Sequence, residues 1–352
     1  MQQKEFNTIL VVGPAGTHLT KFISMIIPFF KKVVVISDKP CELDQVSTVK
    51  VDFHYSLKNY FATTSIISEQ IKTLNPQFIH IHQLSSNAFY AVRACRKNNF
   101  TNIISTAWGT DVLVTPDKSK ILNLILKYVL KHSKAITADA NFMFESINKR
   151  VLNLTKFQEK ILFGIELKPI LFQKEDIIYS NRLHNPLYRI DKIIIAFSKF
   201  IKHPENNHYK LVIGATGSQT QNLKQLVSDL ELTSKVDFVG WINQEKNTEY
   251  FQKAKIYVSI PESDGTSVSL LEAMYYGCVP IVSNLPANNE WIKNGVNGII
   301  VNDVDEDFIV STFKNIELGL EHNFNIIKEQ GTFDIAKEKY LDLYKRVLNH
   351  AN

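Results

Sequence analysis

With 352 residues, 45% of them hydrophobic, the chain is large enough for two domains whose cores need no covalent or metal staples. Its three cysteines, Cys41, Cys95 and Cys278, are too few and too scattered for a disulfide framework or a metal knuckle, which predicts a reducing compartment. The net charge of +5 is unevenly spread: residues 1–165 hold 20 Lys and Arg against 11 Asp and Glu, whereas residues 166–352 hold 20 against 24.

Met1 to Thr8 carries Lys4 and Glu5 and leads into an apolar run too short for a signal peptide, and no run of about 18 apolar residues follows. A cytoplasmic protein is expected. Thr8 to Val12 reads as a buried strand, Gly13-Pro14-Ala15-Gly16 as a tight turn, Leu19 to Phe30 as an apolar-periodic helix and Val33 to Ser37 as a second strand, a Rossmann-like opening. A dinucleotide-binding oxidoreductase opens in the same way, with an acid such as Asp38 after the second strand. It needs G-x-G-x-x-G for the pyrophosphate, however, and Pro14 and Ala15 do not supply it. Asp38 is therefore read as a turn residue.

Phe78 to His82 alternates as a strand, with His80 and His82 on one face. No cysteine or carboxylate nearby completes a tetrahedral site, so metal binding is not expected there. Ile103 to Thr106 is another strand; Gly109 permits a sharp turn after it, and Asp111 is either a helix cap or a cleft acid. Asn123 to Lys134 has helical spacing, with Lys120, Lys127, Lys131 and Lys134 around its apolar residues. A lysine-rich helix is ordinarily a solvated face, but the basic first half favours an anionic acceptor, such as a phospholipid-linked glycan, and peripheral contact with an anionic membrane.

After a strand and turn at Lys160 to Glu166, the alternation of strand and helix restarts at Ile177. Ile193 to Phe200 is a helix, Lys210 to Gly214 a strand, and Val236 to Trp241 a strand in which Gly240 lets a base approach the backbone. Ile256, Val258 and Ile260 mark a further strand. Pro261 to Gly265 supply a turn, Ser267 to Tyr276 a helix closed by Gly277, and Pro280 to Ser283 the next strand. Such a strand, helix, strand unit places its loop and helix N-terminus at the ligand crevice of a parallel sheet. Asp264 in the loop and Glu272 in the helix can reach opposite ends of a ligand. A nucleotide sugar fits: ribose hydroxyls on Glu272, diphosphate on the amides of Gly265, Thr266, Ser267 and Val268, and sugar hydroxyls on Asp264. Asp303, Asp305, Glu306 and Asp307 read as a solvated loop, and Phe333 to Leu348 as a final helix with Ala336, Tyr340, Leu343, Tyr344 and Val347 inward.

The string from Pro261 to Ser283, closed by Asn294-Gly295-Val296-Asn297-Gly298, resembles the donor-site signature of retaining glycosyltransferases of family four, the glycosyl transferases group 1. The resemblance implies an α/β fold of GT-B architecture: two Rossmann-like domains facing a cleft, an acceptor domain at 1–165 and a donor domain at 166–332, with a helix at 333–352 returning to the first. It implies a retaining hexosyltransferase that moves a sugar from a UDP-linked donor to a glycan or lipid-linked glycan, in surface polysaccharide or glycoconjugate synthesis. No cofactor, metal or nucleic acid is expected. Gly16, His18, His82 and Trp108 fall on the acceptor side, and Asp111, Arg182 and Asp264 take the catalytic roles.

The chain departs from the family pattern at several places. Asp264 stands for the usual Glu, Gly265-Thr266-Ser267 for Gly-Phe-Gly, and Trp108 for a histidine near the transferred sugar. The family's phosphate-binding Arg is matched by Arg182, but its Lys-Gly-Ile-Asp string is Tyr188-Arg189-Ile190-Asp191 here, so Tyr188 or Arg189 is expected to provide the second phosphate contact. A nucleotide-sugar epimerase of similar fold and a non-catalytic nucleotide-sugar-binding subunit are the alternatives.

Overall fold

The computed structural model describes residues 4–151, 154, 157–171, 173–305, 307–309 and 320–349. They form two units: residues up to Phe163 with the helix Phe333–Asn349 make one, and Gly164–Thr332 make the other. Glu306 lies outside the described residues.

The first unit is built on seven parallel strands: β1 (Phe6–Val12), β2 (Phe30–Ser37), β3 (Val46–Lys50), β4 (Phe78–His82), β5 (Ile103–Thr106), β6 (Ala135–Ala138) and β7 (Phe157–Lys160), in the order β3-β2-β1-β4-β5-β6-β7. The runs Ile9 to Val12 and Val33 to Ile36 are buried throughout, as strands covered on both faces by crossover helices must be. The first helix is shorter than its apolar periodicity suggests. It spans Thr17–Ile26, passes through a single tight turn at Ile27–Phe29, and gives way to β2 at Phe30. Pro28, which has no N–H to donate, sits in that turn. The helix Phe333–Asn349 completes this core. Tyr344 packs on Phe30 (5.2 Å between ring centroids) and Phe78 (4.9 Å), and its hydroxyl lies 2.7 Å from His80 Nδ1.

The second unit has six parallel strands: β8 (Glu175–Ser180), β9 (Lys210–Gly214), β10 (Val236–Gly240), β11 (Ala254–Ser259), β12 (Val279–Ser283) and β13 (Ile299–Val301), in the order β10-β9-β8-β11-β12-β13. Its core joins Ile256, Val258 and Ile281 of the sheet to Ile193, Phe197 and Phe200 of the helix Ile190–Phe200. Strand order reverses between β1 and β4 in the first sheet and between β8 and β11 in the second. Loops leaving these neighbouring strands part at the reversal and open a crevice beyond their carboxyl ends. Residues 13–18 and His82 therefore stand together in one unit, and residues 181–189 and 260–267 in the other.

Candidate active site

In the second unit, Arg182 follows β8 and Asp264 follows β11, so adjacent strands bring together two residues far apart in sequence. The Arg182 guanidinium donates through Nη2 to Asp264 Oδ2 and through Nη1 to Ser267 Oγ, each at 2.6 Å, and its Cζ lies 4.4 Å from the centre of the Tyr188 ring. Burial works against its charge, but Asp264, Tyr257 and Tyr188 outweigh it and raise its pKa further, so Arg182 is a fixed cation. Ser267 is the N-cap of the helix Val268–Tyr275. The N–H groups of the first helical residues have no partner inside the helix, so the dipole's positive end and a guanidinium sit side by side.

Glu272 lies farther along this helix, buried, with Oε1 accepting from Gln244 at 2.5 Å and Oε2 from Asn247 at 3.3 Å. Asn247 Oδ1 in turn accepts from the Tyr179 hydroxyl (2.7 Å) and from Asn181 (3.0 Å). These side chains border a pocket lined by Asn181, Ala215, Trp241, Gln244 and Asn247. Gly240 turns there at φ 69°, a conformation that favours glycine, and its carbonyl accepts from Ala215 N at 2.7 Å. Trp241 beside it is 74% exposed, an aromatic face held open at the rim. A buried carboxylate, a backbone turn and an open indole around one pocket suit a nucleoside.

Arg189 does not join Arg182, Asp264 and Ser267. Its backbone is left-handed at φ 51°, and its Nε and Nη2 donate to the carbonyls of Ile260 (2.6 Å) and Pro261 (3.0 Å). The guanidinium braces the loop that carries Asp264 by answering carbonyls that lie past the end of the β11 ladder, and Pro261 O also accepts from Ser283 Oγ of β12 at 2.9 Å. Tyr188 remains beside Arg182, but as a ring beneath the guanidinium.

In the first unit, three of the expected acceptor-side residues meet. Trp108 stands 5.4 Å from His18 and 6.1 Å from His82 between ring centroids, and its Nε1 donates to His82 Nδ1 at 3.3 Å. Gly16 opens the helix that carries His18, its carbonyl accepting from Thr20 N. His82 is fully buried, which corrects its expected place facing the acceptor: its ring accepts from the Trp108 indole instead. Burial, and then the proximity of His18, push its pKa down to about 3. With Nδ1 accepting from Trp108, the single proton of the neutral ring sits on Nε2, which is buried without a hydrogen-bond partner.

Asp111 is also buried rather than a cleft acid. Its carboxylate accepts from the backbone N–H of Leu84 (2.7 Å), Trp108 (3.0 Å) and Gly109 (2.9 Å), tying the loop after β4 to the loop after β5. Burial raises its pKa against the pull of those three donors. Its oxygens hold the backbone of Trp108 in place. Asp38 is the turn residue expected, its Oδ1 accepting from Ala15 N at 2.7 Å.

Residues 168–330 match the family Glycosyl transferases group 1, and residues 9–140 match Glycosyl transferase 4-like. The chain belongs to the GT-B glycosyltransferases. It is 24% identical to the uncharacterized glycosyltransferase MJ1069 of Methanocaldococcus jannaschii, over 85% of this chain and 77% of that one. It is 27% identical to the UDP-Gal:alpha-D-GlcNAc-diphosphoundecaprenol alpha-1,3-galactosyltransferase of Escherichia coli, over 54% of this chain and only half (50%) of that enzyme's length. Among solved structures, Anabaena HepE in complex with UDP-glucose superposes with a TM-score of 0.78 at 10% identity, covering 97% of this chain and all (100%) of that one.

In this glycosyltransferase the sequence signature located Asp264, Ser267 and Glu272 but missed Gln244, Asn247 and Asn181. Their signal was positional. Asn181 directly follows β8, and Asn243, whose side chain caps the helix Gln244–Lys253 by accepting from Lys246 N, shows where a helix opens just after β10. Both places lie at the carboxyl ends of sheet strands, where the crevice had to be.

Proposed function

We propose that this glycosyltransferase transfers a hexose from a UDP-linked donor to a glycan or lipid-linked glycan, with retention of anomeric configuration, in surface polysaccharide or glycoconjugate synthesis. The observation that carries the proposal is the Arg182 guanidinium fixed by Asp264 and Ser267 at the start of the helix Val268–Tyr275. As the bond from the anomeric carbon to the phosphate oxygen breaks, that oxygen gains negative charge. A preorganised cation and free helix amides stabilise charge that develops in the transition state. Glu272, held by two amides, accepts from the ribose, and Trp241 offers a face to the base. UDP-Gal, the donor of the Escherichia coli relative, and UDP-glucose, the ligand of the HepE complex, support a UDP-linked sugar, and the relative's diphosphoundecaprenol acceptor supports a lipid-linked one.

The resemblance to retaining enzymes is what supports retention, and the carboxylates bear on how it would proceed. Asp264 gives one oxygen to Arg182 and the other to Gly265 N (3.1 Å), and Glu272 is buried between Gln244 and Asn247, so neither is poised as a nucleophile. The acceptor hydroxyl then attacks on the face the phosphate leaves, and its proton passes to the departing phosphate oxygen. The scheme calls for no cofactor, and we place the reaction in the cytoplasm, at the inner face of the membrane. A panel of nucleotide sugars tests it: the true donor at 100 times its Kd should stabilise the fold by about 2.7 kcal/mol. NMR of the product's anomeric proton should show the donor's configuration. No stabilisation by any UDP-sugar, or an inverted product, would overturn the reading.

A further inference from the structure

Three helices of the first unit, Leu57–Leu74, Ser86–Lys97 and Lys120–His132, share one outer face. Arg93 on the middle helix joins the other two, donating to the Tyr60 hydroxyl at 3.1 Å and the Tyr128 hydroxyl at 3.5 Å, while Phe89 beside it packs on both tyrosine rings. Large apolar side chains stand out from this face: Leu57 is 78% exposed, Phe61 67%, Ile121 69% and Leu124 65%. Between them the chain places cations. Arg93, Arg96 and Lys97 line a shallow groove of about 670 Å³ with Tyr60 and Phe61, and Lys120, Lys127 and Lys131 follow the same outward stripe as Ile121 and Leu124. The only carboxylate on the three helices is Glu69. Lys134, expected to contribute, is half-buried and donates to Asn102 Oδ1 at 3.2 Å instead.

We propose that this face docks the protein on an anionic phospholipid surface. Exposed aliphatic and aromatic side chains interleaved with lysine and arginine match both layers of such a surface, the headgroup charge and the acyl boundary beneath it. A free polyanionic glycan would use the cations and leave Leu57, Phe61, Ile121 and Leu124 in water, so the apolar residues select the bilayer. Among the described residues no helix is long and apolar enough to cross a membrane. The inference deepens the lipid-linked acceptor proposed above by naming how the enzyme meets the surface holding it. It is read without donor or acceptor, so the two can fail separately.

Co-sedimentation of the full chain with phosphatidylglycerol or phosphatidylcholine vesicles, at low and high salt, tests it. Binding should be confined to phosphatidylglycerol and fall with salt. Lys120→Gln/Lys127→Gln/Lys131→Gln should weaken it on the order of 100-fold. Ile121→Gln/Leu124→Gln should weaken it roughly tenfold or more with no change in Tm, since both side chains are already in water. Equal partitioning to both vesicles, no binding to phosphatidylglycerol at low salt, or parental binding by both variants would overturn the proposal. A dimer in sedimentation equilibrium that Ile121→Gln/Leu124→Gln dissociates would assign the face to a second copy of the chain and overturn it equally.

Discussion

Ser267 stands at the N-cap of the helix Val268–Tyr275, yet its hydroxyl accepts from Arg182 at 2.6 Å and caps nothing. A serine there ordinarily satisfies the N–H of the second or third helical residue. Turned toward Arg182, it steadies the guanidinium and leaves the Ser269 amide uncapped, while Leu270 N donates to the Ser267 carbonyl at 3.0 Å, so one side-chain rotation sets a cation beside an open helix N-terminus.

Arg182→Ala should therefore lower kcat about 100- to 1,000-fold, the usual cost of losing one transition-state stabiliser, with a smaller loss of UDP affinity. Ser267→Ala should cost less, because Asp264 still holds the guanidinium. Steady-state kinetics with saturating donor distinguish the two, and an Arg182→Ala enzyme with parental kcat would place the leaving group elsewhere.

Glu272→Gln should act on binding. Losing a charged acceptor costs about 1.5–3 kcal/mol, so the Kd for UDP should rise roughly tenfold to a hundredfold in calorimetry. Gln244→Ala, which removes a donor holding Glu272 in place, should move the Kd in the same direction by less. A Kd unchanged in both variants would move the ribose away from this pocket.

The buried histidine pair predicts acid sensitivity of the first unit. Burial holds the pKa of both His80 and His82 below the ordinary value, His82 at about 3. A depressed folded pKa means that the contribution is whole above about pH 6.5 and is lost as pH falls toward the folded value, because the unfolded chain takes up the proton first. For His82 the loss should reach about 2 kcal/mol at pH 5. Urea unfolding at pH 7.5 and pH 5 should show His82→Gln with a shallower pH dependence by that amount; an identical dependence would mean that His82 titrates normally in the fold.

Gly217 is a packing requirement. A Cβ there would lie 2.4 Å from the His184 carbonyl oxygen, and the backbone on both sides is fixed, with His184 N bonded to Thr216 O and Gln219 N to His184 O. Gly217→Ala should force these loops apart and lower stability by about 1–3 kcal/mol, measured as a fall in Tm. An unchanged Tm would show that the loops relax freely.

Much of this architecture was readable from pattern. Buried parallel strands give β-branched runs such as Val33 to Ile36, and the turn between Ile260 and the helix Val268–Tyr275 was readable from Pro261 to Gly265. The errors share one physical origin. His82, Asp111 and Arg189 are polar residues near strand ends, where a sequence cannot tell a side chain that faces ligand from one that satisfies loose backbone. Asp111 answers three amides and Arg189 two carbonyls, demands that exist only once the loops have been placed. Ser267 shows the reverse, a residue with an ordinary capping position whose hydroxyl the fold redirects.

The helix Phe333–Asn349 places Tyr340 and Tyr344 in the aromatic core of a sheet whose strands are complete by Lys160. During translation the ribosome makes that helix after every strand of both sheets. At about 5–20 residues per second, the first sheet waits roughly ten to forty seconds for these two rings, with Phe22, Phe30 and Phe78 lacking their partners. Gly164–Thr332 is continuous and needs nothing made later. The second half of the chain can therefore mature before the first, and a nascent chain halted short of Phe333 would present an unfinished greasy socket to chaperones and proteases.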